Sequence, residues 1–109
     1  MILLLSGKYQ LEREFGRRHF PGLSLSERNA DQYDFDEEAD IDKEAGRIAE
    51  EMLTSGHDIL FCHLSGCGVV PVDRRERYHS ELTGRISCIL AKKADEVWLV
   101  RAGIGERIK

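Results

Sequence analysis

Apolar positions in this chain follow two rhythms, and each predicts a kind of element. Residues 1–5 (MILLL), 59–62 (ILFC) and 96–100 (EVWLV) are short apolar runs, as in strands buried on both faces of a parallel sheet. Between these runs the apolar residues recur three or four apart. Leu11, Phe15 and His19 share one face and predict a helix over residues 8–18, which Pro21-Gly22 ends. Ile41, Ala45, Ile48, Ala49, Met52 and Leu53 make the clearest stripe, a helix over residues 41–55 with Asp40 as its cap. Tyr78, Leu82, Ile86, Ile89 and Leu90 make another over residues 74–93, capped by Asp73 and closed by Lys92-Lys93, where positive charge suits the helix dipole. Gly84 inside that helix costs about 1 kcal/mol relative to alanine, which predicts a close packing contact. Leu23-Ser24-Leu25-Ser26 alternates apolar and polar and predicts a short edge strand. Residues 29–40 are acidic, with Tyr33 and Phe35 as their only large apolar side chains, and predict a solvated surface loop or a flap.

Strands separated by helices predict one α/β domain over residues 1–109, with a doubly wound, mainly parallel sheet of about four strands. Ligands of such sheets bind in the loops at the carboxyl ends of the strands. Three glycine-bearing stretches follow predicted strands: Ser6-Gly7-Lys8, Ser65-Gly66-Cys67-Gly68 and Gly103-Ile104-Gly105. All three are expected at one edge. The centre of the arrangement is residues 58–71, where a buried strand delivers Gly66 and Gly68 to a sharp turn that can approach a ligand closely, and Pro71 fixes the exit.

Charge narrows the class. With 16 basic against 20 acidic side chains the net charge is −4, so no basic field points to nucleic acid or to an anionic membrane. The apolar start is too short for a signal-peptide core or a membrane span, which predicts a cytoplasmic protein. Three cysteines, Cys62, Cys67 and Cys88, fit a reducing compartment, with Cys62 and Cys88 in core elements. Their spacing is not that of a structural zinc site, and no metal is expected.

Ser6-Gly7-Lys8 resembles the end of a phosphate-binding loop, G-x-x-x-x-G-K-[ST], with the loop shortened and Tyr9 in place of the magnesium-binding hydroxyl. Lys8 either neutralises phosphate or simply opens a helix. His63 is the titratable group beside the glycine turn. Its roles are acid, base or ligand, or else a hydrogen-bonded structural histidine, since no partner for it is visible. Arg74, Arg75 and Arg77 open the last helix, where amides and guanidinium groups together suit an anion, and equally make a solvated or intersubunit face.

From Gly66 onward the residues also resemble a known family. They are Gly66-Cys67-Gly68-Val69-Val70-Pro71, then Arg74, Arg77 and Tyr78, Gly84-Arg85, Ala94-Asp95-Glu96-Val97-Trp98-Leu99-Val100, Gly103-Ile104-Gly105 and Ile108-Lys109. This order is similar to the bifunctional adenosylcobinamide kinase/adenosylcobinamide-phosphate guanylyltransferases of cobalamin biosynthesis, and residues 1–8 look like the family's start. The resemblance implies a RecA-like, P-loop NTPase-type sheet in reduced form, an intracellular homo-oligomer such as a trimer, ATP or GTP with magnesium as cofactors, and a corrinoid substrate. It implies Ser6, Gly7, Lys8, Gly66, Gly68 and Arg74 as nucleotide- or phosphate-binding residues. The departures are as informative. His63-Leu64 stands where the family has Asn-Glu, with Ser65 at its valine. Ser80-Glu81 stands for an Arg-Asp pair and Ser87 for an asparagine. Residues 27–40 hold no histidine to carry GMP, and a middle portion with its own strand is missing.

Three readings follow. The first is a cobinamide kinase/guanylyltransferase-like protein that binds nucleotide, phosphate or corrinoid with degenerate catalytic parts. The second is a reduced but active kinase or nucleotidyltransferase, with His63 as base or guanylylated residue. The third is a non-catalytic assembly or partner protein.

Overall fold

The computed structural model describes residues 1–64 and 73–109. Gly66, Cys67, Gly68 and Pro71 lie outside the described residues, and so does the turn they were expected to form. The described elements are β1 (Ile2–Ser6), α1 (Glu12–His19), a short 3-10 helix (Ala30–Gln32), α2 (Ile41–Thr54), β2 (Ile59–His63), α3 (Arg74–Lys93), β3 (Glu96–Arg101) and β4 (Ile104–Arg107).

The three apolar runs form the parallel part of one four-stranded sheet, ordered β2-β1-β3-β4. β1 sits centrally, with Leu4 beside Phe61 on one neighbour and Trp98 on the other. Such runs suit this position because alternate residues feed two separate cores. Leu3, Leu60, Cys62 and Val97 pack with Ala45, Ile48 and Met52 of α2 and Leu82, Ile86 and Leu90 of α3. Ile2, Leu4, Ile59, Phe61 and Val100 turn to the opposite face, with Phe15 of α1. Helices thus cover both faces, and the chain is an α/β protein with a mixed sheet.

The fourth strand is not the one expected. Residues 23–26 contribute a single bridge, Leu25 to Ile59, at the outer edge of β2. The fourth strand is β4, antiparallel to β3, with Arg101 opposite Ile104. Ala102 and Gly103 make the two-residue turn between them, with φ of 51° and 76°. Positive φ at both central residues matches the right-handed twist of the flanking strands. The Gly103-Ile104-Gly105 stretch is therefore the turn of a hairpin and the start of β4. Gly105 is explained by packing, since a Cβ there would lie 2.1 Å from Phe15 Cζ.

Three other expectations are corrected. α1 begins at Glu12 and not at residue 8, because Tyr9 and Leu11 have φ of 61° and 60°, outside the helical basin. Leu11 is consequently exposed instead of sharing the face of Phe15. The acidic segment is no free flap. Tyr33 is buried beneath the Arg28 guanidinium, and Phe35 stacks on Tyr78 and His79 of α3. Cys88 is exposed, on the outer side of α3.

Gly84 also departs from expectation, for a Cβ placed on it would meet nothing within 4 Å among the described residues. Among those residues the helix carries the glycine penalty without a packing reason. Gly84→Ala is expected to raise stability by about 1 kcal/mol, read as a higher urea midpoint with an unchanged slope.

Candidate functional site

The carboxyl ends of the parallel strands bring the first stretch of site residues together. Ser6 closes β1 and lies opposite His63 of β2 and Val100 of β3. Leu64 N–H donates to Ser6 O at 2.7 Å, so the chain leaving β2 runs beside the chain leaving β1. Ser6 is fully buried, and among the described residues its Oγ has no hydrogen-bond partner. Gly7 and Lys8 follow directly, with Lys8 exposed and making no ion pair among the described residues.

A cavity of about 360 Å³ opens at this edge, lined by Lys8, Tyr9, Glu12, Asn29, Asp31, Gln32 and His63. Its core is a histidine between two carboxylates. His63 Nε2 lies 2.7 Å from Glu12 Oε1, and Nδ1 lies 3.6 Å from Asp31 Oδ2. Each comes from a different element: the end of β2, the first turn of α1 and the 3-10 helix. The side chains of His63 and Glu12 are mostly buried, so this contact is sheltered from water. Burial, the largest single influence, pushes the Glu12 carboxyl up, and the hydrogen bond with His63 opposes it. Glu12's own amide and the charges of His63 and Arg13 add to that, and the group is held below its ordinary range.

Arg13 fixes the far wall. Its Nη1 donates to Ser26 O at 2.7 Å and its Nη2 to Glu27 O at 2.9 Å, while the guanidinium lies over the Phe61 ring. Asn29 N–H donates to Gln32 Oε1 at 2.8 Å and shapes the 3-10 helix that carries Asp31. Periodicity held no signal for Glu12, Arg13 or Asp31 as site residues. The acidic composition of residues 29–40 was the only pointer to Asp31.

Arg74 is placed differently. It pairs with Glu38 at 3.2 Å on the surface, and Arg75 pairs with Glu37. The amides at the start of α3 meet a carboxylate of the chain itself, since Asp73 accepts from Arg75 N–H at 2.7 Å and Glu76 N–H at 3.2 Å. Gly66 and Gly68 lie outside the described residues. Cys62 is no nucleophile, because burial, with a smaller contribution from Asp31, pushes its thiol up to about 12. Among the described residues no group of three or more histidine, cysteine or carboxylate side chains is placed to hold a metal ion. No described helix is long and apolar enough to cross a membrane.

In chemical terms the cavity is rich in acceptors. Glu12 and Asp31 are balanced by Lys8 and by whatever charge His63 carries, with the amides of Asn29 and Gln32 alongside. Such a wall favours groups that donate hydrogen bonds over groups that bring more negative charge.

Comparison with known proteins agrees with the sequence resemblance over part of the chain. A stretch of 51 residues is 45% identical to the bifunctional adenosylcobalamin biosynthesis protein CobU of Salmonella typhimurium. About half of this chain is CobU-like. The Escherichia coli CobU is 43% identical over 51 residues. The match takes in 47% of this chain and 28% of each CobU. No protein-family model matches the chain.

Proposed function

We propose that this chain is a cobinamide kinase/guanylyltransferase-like protein associated with cobalamin biosynthesis, one that binds a ligand at the sheet edge with its phosphoryl-transfer parts degenerate. The sheet is read as a reduced RecA-like, P-loop NTPase-type sheet, and the protein as a cytoplasmic homo-oligomer. The observation that carries the proposal is the cavity itself, with His63 held between Glu12 and Asp31 where a kinase would present phosphate-binding groups.

Charge decides among nucleotide, phosphate and corrinoid. A terminal phosphate would enter beside two carboxylates with Lys8 as the standing cation, and like charges at contact distance repel strongly where water is excluded. A corrinoid fringed with carboxamides brings N–H donors and little charge. Cobinamide is therefore the first ligand, with nucleotide second and dependent on magnesium to mask its charge. In calorimetry, cobinamide is expected to bind with a Kd below about 1 mM, more tightly than GTP or ATP, and without nucleotide turnover. Absence of heat with millimolar cobinamide would sink this reading.

The active-transferase reading draws on one observation: Glu12 orients His63 as a carboxylate orients a catalytic imidazole. Against it, both ring nitrogens face carboxylates, whereas a guanylylated histidine must offer one nitrogen to phosphorus. Radiolabelled GTP is accordingly expected to leave no acid-labile label. A label that His63→Ala removes would establish the second reading instead.

A further inference from the structure

We propose that Tyr9 is a specificity-determining residue of this site, an aromatic platform that stacks on a flat conjugated ring of the ligand, and that Gln10 is the positioning residue that holds it out. The proposal rests on the ligand-binding reading above and adds to it the part of the ligand that meets Tyr9.

The tyrosine lines the cavity mouth and is 94% exposed. Its backbone φ is 61° and that of Leu11 is 60°. For residues with a Cβ this left-handed conformation is unfavourable, and Tyr9 recovers nothing through burial. Something must therefore hold it, and Gln10 does so from between the two strained residues. The Gln10 side chain donates to Lys8 O at 3.3 Å and accepts from Ala102 N–H at 2.8 Å. Gln10 O accepts from Gly103 N–H at 2.9 Å. The loop after β1 is thus stitched to the β3–β4 turn, whose Ala102 also has positive φ. Three strained non-glycine residues converge on one edge, the edge that carries the cavity. Strain of this kind persists where the surroundings enforce it, and it concentrates at ligand sites.

The neighbourhood names the ligand chemistry. Leu11 and Leu64, next in sequence to Glu12 and His63 of the cavity wall, are exposed as well. Exposed apolar side chains bordering a polar cavity suit a ligand with a flat apolar face and a polar rim. Tyr9 supplies a rigid ring at low entropic cost, and the acceptor wall of Glu12, Asp31 and His63 takes the rim. Where a phosphate-binding loop has a hydroxyl for magnesium, this chain has a stacking surface.

The test separates strain from binding, with cobinamide as the probe. Tyr9→Ala is expected to weaken binding about tenfold, and Tyr9→Phe to change it by less than about twofold. Tyr9→Gly is expected to weaken binding as Tyr9→Ala does while raising the melting temperature, because glycine adopts φ near 60° freely. Gln10→Ala should weaken binding and give the Tyr9 backbone the averaged NMR signals of a mobile loop, whereas Gln10→Glu, which still accepts from Ala102, should largely restore both. Unchanged affinity in Tyr9→Ala, or a lowered melting temperature in Tyr9→Gly, overturns the proposal alone. A wild-type protein that binds no cobinamide overturns it together with the ligand-binding reading.

Discussion

Replacing Gly105 by alanine is expected to destabilise the protein by about 3 kcal/mol, at the upper end of what overpacking usually costs. The new Cβ would lie 2.1, 2.5 and 2.8 Å from three atoms of the Phe15 ring, well inside van der Waals contact. Phe15 cannot step aside cheaply. It is 6% exposed and its ring is packed against His19, Phe20 and Trp98 at centroid distances of 5.0, 6.2 and 5.7 Å. In a domain of this size the melting temperature should fall by roughly 10–20 °C. The clash is specific, so trimming the ring should relieve it. In the Gly105→Ala background, Phe15→Leu should cost less than it does alone, with a coupling on the order of 1 kcal/mol or more in a double-mutant cycle. A change in Gly105→Ala within about 0.5 kcal/mol of zero would mean that β4 does not sit on Phe15.

Gly105 also shows where sequence reasoning stops. A glycine just past a buried strand suggests close approach, and close approach is what the structure has. The partner is a phenylalanine more than 80 residues upstream and not a ligand. Nothing local separates the two cases. β4 was missed for a related reason. Ile104-Gly105-Glu106-Arg107 is short and half polar, and its Ala102-Gly103 turn lacks the asparagine or aspartate that usually announces such a hairpin. β1, β2 and β3 were legible because burial on both faces leaves uninterrupted apolar runs. α2 and α3 were legible to within a residue because their stripes are long and their caps, Asp40 and Asp73, are good ones. α1 was drawn too long because Leu11 happens to fall four before Phe15, and only tertiary ties through Gln10 reveal that Tyr9 and Leu11 are left-handed.

The site was half legible for the same physical reason. The parallel topology places Ser6, Lys8 and His63 at one edge, and that much follows from strand order alone. The partners of His63 do not. Glu12 reaches it across 51 residues, and Asp31 comes from a segment whose composition reads as solvated surface. Residues 29–40 proved to be a built wall because Tyr33 and Phe35, the two large apolar side chains in twelve positions, anchor it together with the buried Ala30.

That wall should be the acid-labile part of the protein, and Glu44 is the reason. Its carboxylate accepts from Arg47 Nε at 2.8 Å and Nη2 at 3.0 Å, and from Asp36 N–H at 2.8 Å. The Arg47 hydrogen bonds first and the Asp36 amide second, opposed by burial, bring Glu44 from 4.5 down to about 2. A carboxyl held low when folded adds stability above its unfolded value and loses it as pH falls through the folded one. The contribution is therefore complete above pH 4.5 and disappears towards pH 2. Arg47 is half exposed, so screening by water trims the gain to about 2 kcal/mol at pH 7. Glu44→Gln should cost that amount at neutral pH, and its urea stability curve should converge on the wild type as pH drops from 4.5 towards 2. Glu12→Gln should show the same sign, since Glu12 is also held low through His63. Parallel curves for Glu44→Gln and wild type would show that the carboxylate is not what anchors Asp36. Converging curves would tie the segment that carries Asp31, and hence one side of the His63 clasp, to a single charged group on α2.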